Sequence, residues 1–481
     1  MLRYGEYEEV SGQKAPTSFL AKYAAELKYN DIPDEVVDKL KQIVLHGVGA
    51  MLSANPTTLG KRYINLAKDF FGAPKEATIF GDGSKVSLLG ACYANGALGD
   101  VMDWEDFIAP SHTSCIIIPP VFAFAETRDK PVSGKEAIVA MTAAYDVKQR
   151  IERAIIHTDE TFEQNGMPVS HCGSMGVAIA VGKLLKFDAD KMATAIGIGG
   201  QMSHPDTNIS NLQTRADSYH GIYGWTAVAG MLAAQCTRVG VRGFETILDG
   251  DKGWHKMLGF KRVDWDAYFR GETHGKKFAG VAIDCLKRWP AEAFLQIVCD
   301  DIDYLVKKYS IKPEEIEEIN VTNIDPLNLP KGFPEAVPPK GLLDAQFNAP
   351  YVIANCAYQE DPVTWYDEEK YSRRDLLNLA GKVRVVGKRM PFKHSYKVHW
   401  DGSWVKVVAE IIVKDGKKYK KVGQFYRGHW RNPMSWEELQ QQFKLQAVRL
   451  IGKEKAEKAI QQTKNLENID DITEIIPNLA K

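Results

Sequence analysis

Apolar residues recur every three to four positions through PDEVVDKLKQIVLHGVGAML, residues 33–52, and again through SGKEAIVAMTAAYDVKQRIERAI, residues 133–155. That spacing predicts amphipathic helices. The second opens on Ser133 with Glu136 three residues on, a pairing that satisfies the first free N–H groups of a helix reciprocally. MGVAIAVGKLLKFDADKMATAIGIGG (175–200) and YGWTAVAGMLAAQCTRVG (223–240) carry Ala, Gly and Val on nearly every face. Helices of that kind are buried all round, and their small side chains let neighbours approach closely. The first half of the chain therefore predicts a helical bundle.

The pattern changes near residue 276. SIKPEEIEEINVTNI (310–324) predicts a turn and then a strand, and LLNLAGKVRVVGK (376–388) a helix end and a strand. SWVKVVAEIIVKDGKKYKKVGQF (403–425) alternates with period two and turns at Asp415-Gly416, a hairpin signal. Prolines at 326, 330, 334, 338 and 339 mark a long irregular loop. From NPMSWEELQQQFKLQAV (432–448) the helical spacing returns. The expected fold is mainly α with a smaller α+β domain. A large all-helical domain is expected from residues 1–275 with 430–481, and a smaller α/β domain from 276–429.

Composition narrows the function. The chain has 481 residues, long enough for two cores, with 44% hydrophobic and 26% charged residues. Lys plus Arg (61) nearly cancels Asp plus Glu (62), so no broad basic face is expected and nucleic acid is not a partner. No apolar run approaches the roughly 20 residues that span a bilayer, and MLRYGEYEEVSGQK lacks the apolar core of a signal peptide. Seven cysteines (92, 115, 172, 236, 285, 299, 356) are scattered, with no CxxC pair. Reduced thiols in a cytoplasmic protein are the expectation.

The stretch DWEDFIAPSHTSCIIIPP, residues 103–120, sets Asp103, Glu105, Asp106 and His112 against an apolar run. So much charge beside buried chain is costly unless it is used. Removing a proton next to a carboxylate needs a base titrating near neutrality, and cations to hold the developing enediolate. His112 suits the first task, and a carboxylate such as Asp103 would orient its ring. Asp103 also has a plain alternative as a helix cap. HTSC and HC offer zinc-type ligands without a partner at motif spacing, so no metal is expected. GVAIAVGK has Leu184 where a phosphate loop needs Ser or Thr, and predicts a bundle helix.

Six blocks, in order, resemble the MmgE/PrpD family, which includes 2-methylcitrate dehydratase and cis-aconitate decarboxylase. They are NGALGDVMDWEDFIAPSHTS, MPVSHCGSMGVAIAVGKLLKF, QTRADSYHG, KRWPAEAFLQ, AQFNAPYVIA and GHWRNPMSWEEL. The resemblance implies a large helical domain, a smaller α/β lid, a homodimer, and chemistry on small carboxylic acids without metal or organic cofactor. By the same resemblance His112, His171, Asp103 and Lys287 are the catalytic candidates, and Arg215, Tyr351 and Asp106 the substrate-binding ones. The expected activity is a cofactor-independent lyase, dehydrating a hydroxy acid or decarboxylating an unsaturated one, as 2-methylcitrate dehydratase and its relatives do. The alternatives are an isomerase or epimerase of a small dicarboxylic acid by the same proton abstraction, and a metal-dependent hydrolase or non-catalytic member.

The chain departs from the family pattern at Asp100, Phe107, Ala216 and Phe294, where polar or cationic residues are usual, and at Thr113, where proline is usual. Fewer counter-charges imply a substrate with fewer carboxylates and an apolar portion, and methylcitrate fits that site poorly.

Overall fold

The computed structural model describes residues 15–108, 111–156, 172–203, 215–250, 253–260, 263–324, 329, 338–389 and 406–481. Among the described residues nine helices carry the first half. They are α1 (Pro16–Glu26), α2 (Asp34–Ala54), α3 (Thr58–Phe71), α4 (Leu88–Val101), α5 (Ser114–Glu126), α6 (Gly134–Ile156), α7 (Gly173–Leu184), α8 (Ala189–Gln201) and α9 (Gly221–Arg238). The Ser133–Glu136 pair at the start of α6 forms as the spacing predicts, with Glu136 accepting from the Ser133 N–H at 3.0 Å.

The small residues do what their placement suggests. Helix α9 packs on both α4 and α7. A Cβ on Gly96 would fall 2.9 Å from the Gly224 Cα, a separation that only two glycines permit. The long apolar stretch 175–200 falls into two helices, because Lys186 takes a left-handed φ of 59° and Asp188 caps α8 by accepting from the Lys191 N–H at 2.9 Å.

Helix α5 runs against its sequence. Pro119 and Pro120 lie inside it, and each removes a backbone donor. Burial overrides local preference here: every residue from Ser114 to Ala125 is buried, among α2, α4, α7 and α9.

The α+β part is built on α10 (Gln296–Tyr309), α11 (Ala349–Ala357), α12 (Arg374–Ala380) and a four-stranded sheet. Among the short strands that precede that sheet are β1 (Asp106–Phe107) and β2 (Cys285–Leu286), and its own strands are β3 (Ile316–Val321), β4 (Val383–Val385), β5 (Val407–Val413) and β6 (Lys418–Gly423). The order is β6-β5-β3-β4, parallel between β3 and β4 and antiparallel elsewhere. Val407, Ala409, Ile411 and Val413 of β5 turn inward, and α10 packs against β5 and β6. The hairpin turns at Asp415-Gly416 as predicted, with Gly416 at φ 84°. Pro326, Pro330 and Pro334 lie outside the described residues.

Helix α13 (Trp436–Ile451) returns to the bundle and packs on α2. The chain is thus mainly α with a smaller α+β part. Among the described residues no helix is long and apolar enough to cross a membrane, and all seven cysteines are free.

Candidate active site

Strands β1 and β2 pair antiparallel, Asp106 with Leu286 and Phe107 with Cys285. This two-residue ladder brings the acidic stretch after α4 against Lys287, which lies 184 residues from Asp103 in the chain. Asp103 itself takes a left-handed φ of 50°, which Asp tolerates better than most residues, and its N–H donates to the Asp100 carbonyl at 2.7 Å. That reversal sends Asp103 and Glu105 toward the lysine.

Lys287 is fully buried. Its ammonium donates to the Asp103 carboxylate, to Glu105 Oε1 at 2.7 Å and to the Asp103 carbonyl at 3.2 Å. Its own carbonyl accepts from His46 Nε2 of α2 at 2.9 Å and from Gln442 Nε2 of α13 at 3.0 Å. The lysine is therefore fixed from the bundle side as well as from the acids.

His112 Nδ1 lies against Glu105 Oε1 and 3.6 Å from Asp100 Oδ1. The other Asp100 oxygen meets His220 Nδ1 at 2.6 Å. The rings of Phe107 and Tyr223 meet the imidazole edge-on at 5.3 and 5.5 Å, and Phe294 meets Phe107 at 6.1 Å. Burial pushes the His112 pKa down to about 3, and the Lys287 charge adds to the effect, so the resting imidazole is neutral and titrates well below the near-neutral range expected from the sequence. Burial raises Asp100, Asp103 and Glu105, while Lys287 opposes the rise. For Lys287 burial alone would lower the pKa, but the two carboxylates more than reverse it and keep the amine charged.

Asp103, His112 and Lys287 lie in one cluster, but Glu105, and not Asp103 as expected, contacts the His112 ring, and it bridges His112 to Lys287. His171 lies outside the described residues. Asp106 faces another way: its carboxylate caps α5 by accepting from the Ser114 N–H at 2.9 Å and from the Tyr145 hydroxyl at 3.1 Å. Tyr351 is buried at the start of α11, and its hydroxyl donates to the Trp365 carbonyl at 2.7 Å. The Arg215 guanidinium lies over the Phe347 ring at 5.2 Å, with Nε 3.8 Å from Asp344 Oδ1.

Sequence reasoning missed Asp100 and Glu105 as members of the cluster, and His220 altogether. Asp100, Asp103, Glu105 and His112 place one donor atom each within 4.8 Å of one another, a set that could hold a divalent cation. A search for paired cysteines and histidines could not find it; the spacing of the three acids and His112 was the available signal. Lys287 now holds two of those carboxylates, where its ammonium supplies the compensating positive charge.

A cavity of about 670 Å³ opens beside Trp104 and Trp289, yet Asp103, Glu105, His112 and Lys287 do not line it. The charged cluster itself is nearly closed, with His112 only 6% exposed.

His46 gives the cluster a pH signature. Burial lowers its pKa to about 4, against about 6.5 for an unfolded histidine. Between those values the unfolded chain binds a proton that the folded chain does not, so stability falls as the pH drops through that window. The slope is about 1.4 kcal/mol per pH unit. Wild type should lose about 3 kcal/mol more than His46→Gln between pH 7 and pH 4. Urea unfolding of both proteins at the two pH values checks this, and equal losses would discard it.

A buried ammonium, three buried carboxylates and a neutral imidazole lie together where a helical bundle meets a small α+β part. The chain belongs to the MmgE/PrpD family: residues 18–265 match the MmgE/PrpD N-terminal domain and residues 289–468 the C-terminal domain. It is 24% identical to a cis-aconitate decarboxylase of Homo sapiens, over 97% of this chain and 95% of that protein. A cis-aconitate decarboxylase-like protein, oryM, of Aspergillus oryzae is 22% identical, over 96% of each. A cis-aconitate decarboxylase of Aspergillus terreus is 29% identical, over 38% of each.

Proposed function

We propose that the chain is a cofactor-independent lyase that moves a proton next to a carboxylate of a small acid. The observation that carries this is the Lys287–Glu105–His112 chain of contacts, a fixed cation beside a neutral base. Glu105 holds Nδ1 of His112, which leaves Nε2 to take a proton from carbon or return one. The Lys287 ammonium stabilises the enediolate that forms when that proton leaves or when carbon dioxide departs. His171 is the proposed second proton-transfer group, and Arg215 the proposed contact for a distal carboxylate. The cytoplasm is the proposed location.

Three of the sequence departures bear on the substrate. Phe107 and Phe294 lie together beside His112, and Asp100 adds a carboxylate 3.6 Å from it. A substrate with one or two carboxylates and a hydrocarbon portion suits that wall better than a tricarboxylate. The test is a panel of cis-aconitate, 2-methylcitrate and less charged unsaturated and hydroxy acids in deuterated water. Carbon dioxide release or a new alkene is expected, fastest with the less charged acids. Turnover of 2-methylcitrate as fast as any other acid would refute the substrate inference. Deuterium uptake with neither product would make the enzyme an epimerase.

The four-donor cluster favours one other reading, a metal-dependent enzyme. Activity abolished by a chelator and restored by a divalent cation would establish it in place of the first. A homodimer belongs to the same proposal, supported by Val239 and Val241, 65% and 48% exposed after α9. Light scattering that gives a monomer at micromolar concentration removes it.

A further inference from the structure

One buried ion pair is left over by this mechanism. Lys148 and Glu152 lie one turn apart on α6, both fully buried, with Nζ donating to Glu152 Oε1 at 2.6 Å. The ammonium also donates to the Ser111 hydroxyl and to Thr113 Oγ1 at 3.3 Å. Ser111 and Thr113 bracket His112, in a stretch that no helix or long strand stiffens. The Cys172 thiol donates to the Lys148 backbone carbonyl at 3.7 Å.

Taking two charges out of water is costly, and an apolar pair of similar volume usually stabilises a core as well or better. A core needing only stability would not require this pair. Its extra partners are instead the two residues that flank a candidate proton-transfer group, His112.

We propose that Lys148 and Glu152 are positioning residues: a buried clamp on α6 that fixes the Ser111–Thr113 segment, and with it the His112 imidazole. The catalytic consequence rests on the proton-transfer role proposed for that histidine; the clamp itself does not. Proton transfer depends steeply on the placement of the base, so a loosened segment lowers kcat while substrate binding persists.

The test is the double variant Lys148→Met/Glu152→Leu, which removes the clamp and fills its space with apolar groups. It should fold and melt near wild type. Amide exchange over residues 111–118 should quicken at least tenfold, with α2 unchanged. On whichever acid of the panel wild type turns over, kcat should fall at least about 30-fold with KM within threefold. A pair serving only stability predicts the opposite: the apolar replacement restores both folding and rate. Unchanged exchange over 111–118, or kcat within threefold of wild type, overturns the proposal. If the double variant does not fold, Ser111→Ala/Thr113→Val keeps the ion pair and removes its hold; the same exchange and kcat changes are expected, and their absence overturns the proposal equally. If wild type turns over no acid of the panel, the proposed function falls, and exchange alone decides the clamp.

Discussion

Lys287→Met should unfold the protein or bring it close to unfolding, at a cost of about 3–5 kcal/mol. The methionine fills the volume of the lysine stem, so the loss comes from charge. Asp103 and Glu105 would remain buried with no cation between them, and their only relief is to take up protons. Burial already raises both pKa values and Lys287 opposes that rise, so without the lysine they go higher still. The loss should therefore be larger at pH 8 than at pH 5, where protonation is easier. Urea unfolding across that range measures it. Adding Asp103→Asn and Glu105→Gln should recover most of the stability and none of the activity. A single variant as stable as wild type at pH 8 would mean that the three groups are not in contact.

His112→Asn should stay folded and lose roughly 100- to 10,000-fold in kcat, the range for removal of a general acid or base. Asparagine places its amide nitrogen near the position of Nδ1 and can keep the contact with Glu105, while Nε2 has no replacement. His112→Gln does the reverse and loses the hold of Glu105. If Nε2 is the working atom, the two variants fail for different reasons: Asn binds substrate normally and does not react, and Gln also binds less well. Rates and thermal melts of both, with His171→Asn beside them, check this. A folded His112→Asn enzyme with more than about a tenth of wild-type rate falls outside that range and would make the histidine structural.

How far the sequence reached can be judged element by element. Helices α2 and α6 were legible because their apolar spacing and the Ser133–Glu136 pair agree, and the β5–β6 hairpin because alternation and Asp415-Gly416 agree. Helix α5 was not legible, since Pro119 and Pro120 argue against a helix and only its burial among four neighbours overrides them. Asp103, His112 and Lys287 were named from ordered motifs. Nothing in those motifs says that Glu105 joins the last two, or that Asp106, its neighbour, turns away to cap α5.

By itself the sequence determined most of the elements, the family and the types of side chain available for chemistry, because periodicity, capping and motif order act over a few residues. The tertiary structure alone decided which charges meet. The β1–β2 ladder carries Lys287 across 184 residues of chain to Asp103, the packing of α9 on α4 sets His220 against Asp100 across 120, and α6 holds both residues beside His112. Those contacts depend on burial, and burial is a property of the packed whole. An imidazole that would titrate near neutrality in a free peptide is held neutral down to about pH 3 in His112, because the folded chain removes the water that would stabilise its charge.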